Sequence, residues 1–207
     1  MFITFEGIEG SGKSTQQDKI ANYLKINHIP FIQTKEPGGT PIGQKIREMI
    51  LDKETKLHHY HSELLLFFAD RCEHIEQVVQ PALNAKKIVL CDRYKDSTFA
   101  YQHCGRQIPL TIINQFNQLV SLTPTLTLLY DCPVEIGLKR AKARAHLDRF
   151  EIESLEFHER IRQGYLDLAK KEPNRIKCIH VDEKSIDDIF SETKKIILPY
   201  IERITTQ

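Results

Sequence analysis

Apolar and polar positions along the chain fall into blocks of two kinds. Five short runs are dominated by apolar residues: Phe2–Glu6, Phe31–Lys35, Ile88–Cys91, Leu126–Tyr130 and Ile176–Val181. Runs of this length, rich in β-branched and aromatic residues, predict strands. Longer amphipathic stretches separate them: Lys13–Asn27, Ile42–Leu51, Ser62–Asn84, Leu110–Leu122, Val134–Arg144, Ser154–Lys171 and Ile186–Ile204. In the first of these, Ile20, Tyr23, Leu24 and Ile26 recur at helical spacing. Pro199 predicts a kink in the last. Strands that alternate with helices imply βαβ units and a parallel sheet buried on both faces. Right-handed crossovers then place helices on each side, giving an α/β fold of three layers, α/β/α, around a five-stranded parallel sheet. Ligands bind such a sheet at the carboxyl ends of its strands. The sequence puts its unusual residues there: Gly7 after the first strand, Glu36 after the second, Asp92 and Arg93 after the third.

No repeat, low-complexity tract or Ser/Gly linker interrupts this pattern, so one domain over residues 1–207 is expected. A net charge of +1 gives no electrostatic reason to expect nucleic acid or a membrane surface as partner. The partner is instead a small molecule held by a few placed charges. Five cysteines, an odd count without a C-x-x-C pair, suit reduced thiols. The first strand follows the amino terminus directly, with no basic region or cleavage site before it. Leu64–Ala69, the longest clear apolar run, is far too short to span a bilayer. A cytoplasmic setting is the expectation. His58, His59 and His61 lack the i, i+4 helical face of a zinc site and have no nearby cysteine, so they read as a polar loop.

Gly7-Ile8-Glu9-Gly10-Ser11-Gly12-Lys13-Ser14-Thr15 matches the phosphate-binding P-loop pattern. Its glycines let the backbone curl so that successive N–H groups face phosphate oxygens. Lys13 opens the helix and bridges the β- and γ-phosphates of a nucleotide, and the helix terminus adds partial positive charge. Ser14 supplies a hydroxyl to Mg²⁺. The ATP-binding candidates are therefore Gly7, Glu9, Gly10, Ser11, Gly12, Lys13, Ser14 and Thr15. The strand before the loop and the amphipathic helix after it are the context that such a motif requires. The expected fold is accordingly that of the P-loop NTPases.

Asp92, at the tip of the buried strand Ile88–Cys91, stands where P-loop proteins orient the Mg²⁺ shell. Ser14 and Asp92 are the metal candidates. Arg93 beside it can clamp γ-phosphoryl oxygens during in-line transfer. An Asp–Arg pair at a strand end can equally be a surface salt bridge; the P-loop upstream draws both residues into one crevice.

Four blocks in order carry a resemblance to the thymidylate kinase family: Phe5–Thr15, Glu36-Pro-Gly-Gly-Thr40, Asp92–Gln102, and Gly137–Arg144 leading to Leu147-Asp-Arg-Phe-Glu151. The resemblance covers essentially the whole chain. It implies transfer of the γ-phosphoryl group of ATP to dTMP, with Mg²⁺, in a homodimer. It also implies residue roles. Phe67 looks like the ring that stacks on thymine, and Arg71, at i+4 on the same helix face, like the donor to a base carbonyl. Ser97 or Thr98, with Gln102, would complete the base edge. Tyr101 would sit under the sugar, where a 2′-hydroxyl would clash, and Glu9 near the 3′-hydroxyl. Arg47, with Glu36 nearby, would address the acceptor phosphate, and the Glu36–Pro37 bond is a candidate for the cis form.

The basic stretch from Arg140 to Arg149 resembles the family's LID, about 140–152, a helical segment that closes over ATP and excludes water. Some members carry a catalytic arginine in the P-loop. Here Glu9, Gly10 and Ser11 occupy those positions, so the missing charge is expected from the LID, Arg144 first and Arg149 second. The catalytic candidates are Lys13, Arg93, Arg144 and Arg149. Other readings are a P-loop kinase for another nucleotide or a deoxynucleoside, and a GTPase-type switch. Against the switch, no Asn-Lys-x-Asp guanine-reading motif follows any strand.

Overall fold

The five apolar runs pair as one all-parallel sheet in a computed structural model that describes residues 1–120, 122–143 and 147–205. The strands are β1 (Phe2–Glu6), β2 (Phe31–Lys35), β3 (Ile88–Asp92), β4 (Leu126–Asp131) and β5 (Ile176–His180), in the order β2-β3-β1-β4-β5. Their register sets Phe5 beside Asp92 and Leu128. All of β1 and β4 is buried, which is why their sequences do not alternate. The hydroxyls of Thr4 and Thr127 satisfy each other across these strands at 2.8 Å.

Helices flank both faces of the sheet. They are α1 (Lys13–Ile26), α2 (Pro41–Leu51), α3 (Tyr60–His74), α4 (Gln80–Asn84), α5 (Lys95–Thr98), α6 (Leu110–Asn117), α7 (Val134–Lys142), α8 (Leu155–Lys171) and α9 (Ile186–Thr205). Caps fix several starts. Thr40 accepts from Gly43 N ahead of Pro41, and Ser154 accepts from Phe157 N. Ser154 is thus a cap, where a first helical residue was expected. His59 accepts from His61 N and starts α3 inside the expected histidine loop.

Two stretches depart further from the sequence expectation. The long helix expected over Ser62–Asn84 is α3 and α4 joined by a π-helical turn, Ile75–Val79. Pro81 explains it, because proline lacks an N–H and its ring crowds the carbonyl four residues back, so the helix widens ahead of it. Residues Lys95–Gly105, expected only as a motif, form α5 and a second π-helical segment, Phe99–Gly105. The helix expected to reach Leu122 stops at Asn117, where Leu119 N turns back to Phe116 O. Helix α9 runs through Pro199.

A cluster of buried apolar residues runs from Ile3 and Phe5 to Ile201, and a smaller one packs Phe2, Val79 and Tyr94. Among the described residues no helix is long and apolar enough to cross a membrane.

The loop after β1 rests directly on α7. Gly10 has a φ of 69°, and a Cβ there would meet Gly137 O at 2.0 Å. A Cβ on Gly137 would in turn meet Glu9 O at 2.5 Å. Backbone thus lies on backbone, with no flexible side chain to yield. Gly137→Ala should therefore destabilise the protein by about 1–3 kcal/mol, read as a lower urea midpoint at unchanged slope. An unchanged midpoint would mean that the loop moves aside at no cost.

Candidate active site

Two clefts open at the carboxyl ends of the strands, and they share Lys13 and Ser14. Gly10, Ser11, Gly12, Lys13, Ser14 and Thr15 line the first, together with Arg140, Val181, Lys184, Ile186 and Ile189. The second encloses about 900 Å³, solvent at its mouth included. Its walls hold Glu9, Lys13, Ser14, Glu36, Pro37, Arg47, Phe67 and Arg71, and then Asp92, Arg93, Ser97, Thr98, Tyr101 and Gln102. Gly7 lines neither cleft. Its φ is 144°, and a Cβ there would meet Tyr130 O at 2.5 Å.

At the junction Ser14 Oγ donates to Asp92 Oδ2 at 2.5 Å, and Asp92 Oδ1 is buried with no hydrogen-bond partner among the described residues. Lys13 Nζ donates to Ile8 O at 3.4 Å. Burial and then the neighbouring Arg93 press the Lys13 ammonium toward a lower pKa, and Asp92, Glu9 and Glu6 oppose them.

Arg93 follows β3 in the left-handed region, φ 67°, which is uncommon for a residue with a side chain. The turn is held at both ends: Arg93 N donates to Phe5 O, and Tyr94 N donates to Glu6 Oε1 at 2.7 Å. The guanidinium lies over the Tyr101 ring and pairs with Glu9 at 2.9 Å. The Tyr101 hydroxyl donates to the same Glu9 oxygen. Burial alone would raise the Glu9 pKa, but Arg93, His158, Lys13 and Tyr101 together hold it well below the usual carboxylate range.

On the far wall Arg71 is 2 % exposed and donates to two groups. Its Nε donates to Glu36 at 2.8 Å and its Nη2 to Thr98 Oγ1 at 2.9 Å. Its Nη1 is buried and has no partner among the described residues. The other oxygen of Glu36 meets His74 Nδ1 at 2.8 Å. Glu36, expected beside the acceptor phosphate, is thus committed to orienting Arg71. Arg47 Nη1 donates to Pro37 O at 2.9 Å, and the Glu36–Pro37 bond is cis. Phe67 is half-buried, its ring centroid 6.3 Å from that of Phe150, which also lines the cleft.

Arg149 faces neither cleft. Its Nε donates to Ile50 O at 2.8 Å and its Nη2 pairs with Glu63 at 2.9 Å. No sequence signal marks that anchoring, because both partners are remote in the chain. Arg144 lies outside the described residues. Sequence reading also passed over Glu6, His74, Phe150, Lys184 and the wall role of Arg140. Of these, Glu6 carried a signal: a carboxylate inside an apolar strand must find partners if buried.

Residues 5–193 match the family described as thymidylate kinase. The chain belongs to the thymidylate kinase family. It is 48% identical to the thymidylate kinase of Pseudomonas putida (strain W619), over 84% of this chain and 86% of that protein. It is 43% identical to that of Kosmotoga olearia, over 99% and 98%. The crystal structure of thymidylate kinase from Ehrlichia chaffeensis superposes with a TM-score of 0.77 at 35% identity, covering 96% of this chain and 98% of that one.

Behind the cleft this family member buries Glu6 completely. Besides Tyr94 N, it accepts from Ser97 Oγ at 2.6 Å and from the Tyr165 hydroxyl at 2.9 Å. Burial, and secondarily the charge of Asp96, raise its pKa to about 7 against the opposing pull of Ser97, Arg93 and Tyr165. A carboxyl raised on folding binds more protons in the native state between its unfolded value, 4.5, and about 7. Its stabilising contribution is complete below that window and fades as pH rises through it. Thermal scans should therefore show Glu6→Gln gaining on the wild type between pH 5 and 8, by on the order of 1–3 kcal/mol. A difference that stays flat with pH would assign the raised titration to another group.

Proposed function

We propose that this protein transfers the γ-phosphoryl group of ATP to dTMP, giving dTDP and ADP. The observation that carries this reading is the pair of clefts meeting at Lys13 and Ser14, with Asp92 and Arg93 on the acceptor side. A donor nucleotide fits the P-loop cleft, and a phosphorylated pyrimidine fits the one walled by Arg47, Arg71 and Phe67. The guanidinium of Arg47 favours an acceptor that already carries a phosphate over a free deoxynucleoside.

The chemistry is positional and electrostatic, since phosphoryl transfer needs no covalent protein intermediate. Lys13 bridges the β- and γ-oxygens. Arg93, fixed by Glu9, stands by the transferring group. Ser97 or Thr98 and Gln102 complete the base edge, and Tyr101 underlies the sugar. Glu9, paired to Arg93 through Oε1 and with His158 Nδ1 3.5 Å from Oε2, lines the acceptor cleft and would approach the 3′-hydroxyl. The orphaned Asp92 Oδ1 and the adjacent Ser14 hydroxyl form the hard oxygen set that Mg²⁺ prefers. Bound there, Mg²⁺ would neutralise phosphate charge.

The chain acts as one domain, residues 1–207, in the cytoplasm, with its LID at about 140–152. Exposed Ile42, Met49 and Leu65 on the packed pair α2 and α3 support a homodimer through that face.

An ADP-release assay across dTMP, dUMP, dCMP, dGMP and thymidine tests the assignment. Turnover should be greatest with dTMP and negligible with thymidine, and a preference for thymidine would point to a nucleoside kinase. Lys13→Ala should abolish turnover. Phe67→Ala should weaken dTMP binding by about 1–3 kcal/mol, the scale of an aromatic–base stack, and leave ATP binding intact. Equal weakening of both ligands in calorimetry would make Phe67 a packing residue.

The two LID arginines separate in single-turnover kinetics. Arg144→Ala should lower kcat by about 10³-fold if it acts as an arginine finger. Arg149→Ala, whose partners are Glu63 and Ile50, should act mainly through the KM for dTMP. The reverse pattern would make Arg149 the finger.

A further inference from the structure

Gln102 reaches the acceptor cleft from the π-helical segment Phe99–Gly105, and its Nε2 donates to Glu63 Oε1 at 2.9 Å. Glu63 belongs to α3, is fully buried, and is not among the cleft-lining residues. Its Oε2 pairs with two guanidiniums, Arg106 Nη2 at 3.4 Å and Arg149 Nη2 at 2.9 Å, and Arg106 Nε also donates to Oε1 at 3.4 Å. Each is tethered elsewhere: Arg106 to Glu153 at 2.5 Å, Arg149 to Ile50 O at 2.8 Å. A carboxylate accepts hydrogen bonds and donates none. The end of the Gln102 amide that faces Glu63 must therefore be the nitrogen, and the oxygen is left for the cleft.

Arg71 Nη1 is the complementary element, a buried donor without a partner among the described residues. A base edge placed between these two groups meets one acceptor and one donor. The imide of thymine or uracil, a ring N–H beside a carbonyl, matches them. Cytosine reverses both positions. Its ring nitrogen would set a lone pair against Gln102 Oε1, and its amino group would set hydrogens against a guanidinium. A buried polar site that mismatches a ligand rejects it far more strongly than a misfit in size would.

We propose that Glu63 is the positioning residue that makes the cleft select an imide base over an aminopyrimidine, by fixing Gln102 with its oxygen inward. The inference rests on the dTMP reading above and assigns the base selectivity to a residue outside the site.

Glu63→Gln tests it. The variant keeps the shape but has one oxygen, and the side paired with two guanidiniums, Arg106 Nη2 and Arg149 Nη2, attracts it more than the side that faces Gln102 and the longer Arg106 Nε contact. Its NH₂ then faces Gln102, whose amide must turn over and present nitrogen to the cleft. The ratio of kcat/KM for dTMP to that for dCMP should fall by about 10- to 100-fold, the scale of one or two hydrogen bonds. The KM for ATP should not change. In a Gln102→Met background there is no amide to turn, so adding Glu63→Gln should leave the ratio where it was.

An unaltered ratio in the single variant, or the same drop in the Gln102→Met background, would overturn the proposal. Should Glu63→Gln not fold, the wild type still decides. The Gln102 NH₂ protons should exchange slowly in ¹⁵N-edited NMR of the free protein, and dUMP should leave them in place. Fast exchange, or a direct contact between those protons and the bound base, would sink the idea. A wild type that uses dCMP as well as dTMP would remove the dTMP reading itself. A selective wild type with an indifferent Glu63→Gln variant removes only the role of Glu63.

Discussion

Arg93 and Glu9 meet at 2.9 Å where β3 and the P-loop converge, and the geometry of both clefts follows from that contact. Glu9 sits in the P-loop that follows β1. Arg93 ends the strand beside Asp92. Pairing them fixes the phosphate loop to the acceptor wall, so the two clefts keep one relative position. Neither partner could be buried alone, since breaking such a pair strands a charge at a cost of about 3–5 kcal/mol. The positive φ of Arg93 belongs to the same device. It aims the guanidinium back over Tyr101 toward Glu9, and Glu6 secures the turn by accepting from Tyr94 N.

The same construction recurs around the acceptor cleft. A buried carboxylate holds a cation or amide of the cleft wall. Glu36, itself on that wall, holds Arg71, and Glu63, behind it, holds Gln102. Asp70 supports the loop that follows Glu36 by accepting from Gly38 N at 2.9 Å. Burial and then the like charge of Glu36 raise the pKa of Asp70 to about 6. Each carboxylate is costly to bury, and each cost is offset by a hydrogen bond that removes freedom from a cleft residue. Donors fixed before the ligand arrives need no reorganisation during reaction, which is how such sites gain their electrostatic effect.

This division explains what the sequence could disclose. Strands β1, β3 and β4, the P-loop and the Asp92–Arg93 turn are written in contiguous residues, and each reads directly. Phe67 and Arg71 needed a resemblance to be singled out, because an aromatic and an arginine on a helix are ordinary residues. The holding carboxylates were harder. Glu63 lies 39 positions from Gln102, and Glu36 lies 35 from Arg71. No local pattern marks such a pairing. Even Glu36, placed near the cleft from its motif, gave no sign in the sequence that its partners would be Arg71 and His74. The π-helical segment under Tyr101 and Gln102 escaped for a different reason. Its hydrogen bonds span five residues, so its side chains do not follow the 3.6-residue period by which helices are read.

Helix α7 and the turn at Asp148 are anchored on different walls. The backbone of Gly137, in α7, lies against the P-loop at Glu9 and Gly10. On the other side, Asp148 Oδ1 accepts from Phe150 N and Glu151 N to form a tight turn. Arg149 ties that turn to Ile50 and Glu63, while Phe150 packs near Phe67 and Tyr101. One anchor therefore lies on the P-loop, and the other beside Phe67 and Tyr101. An enzyme that must give phosphate to a nucleotide and withhold it from water gains from walls anchored separately, because a single bound substrate cannot engage both.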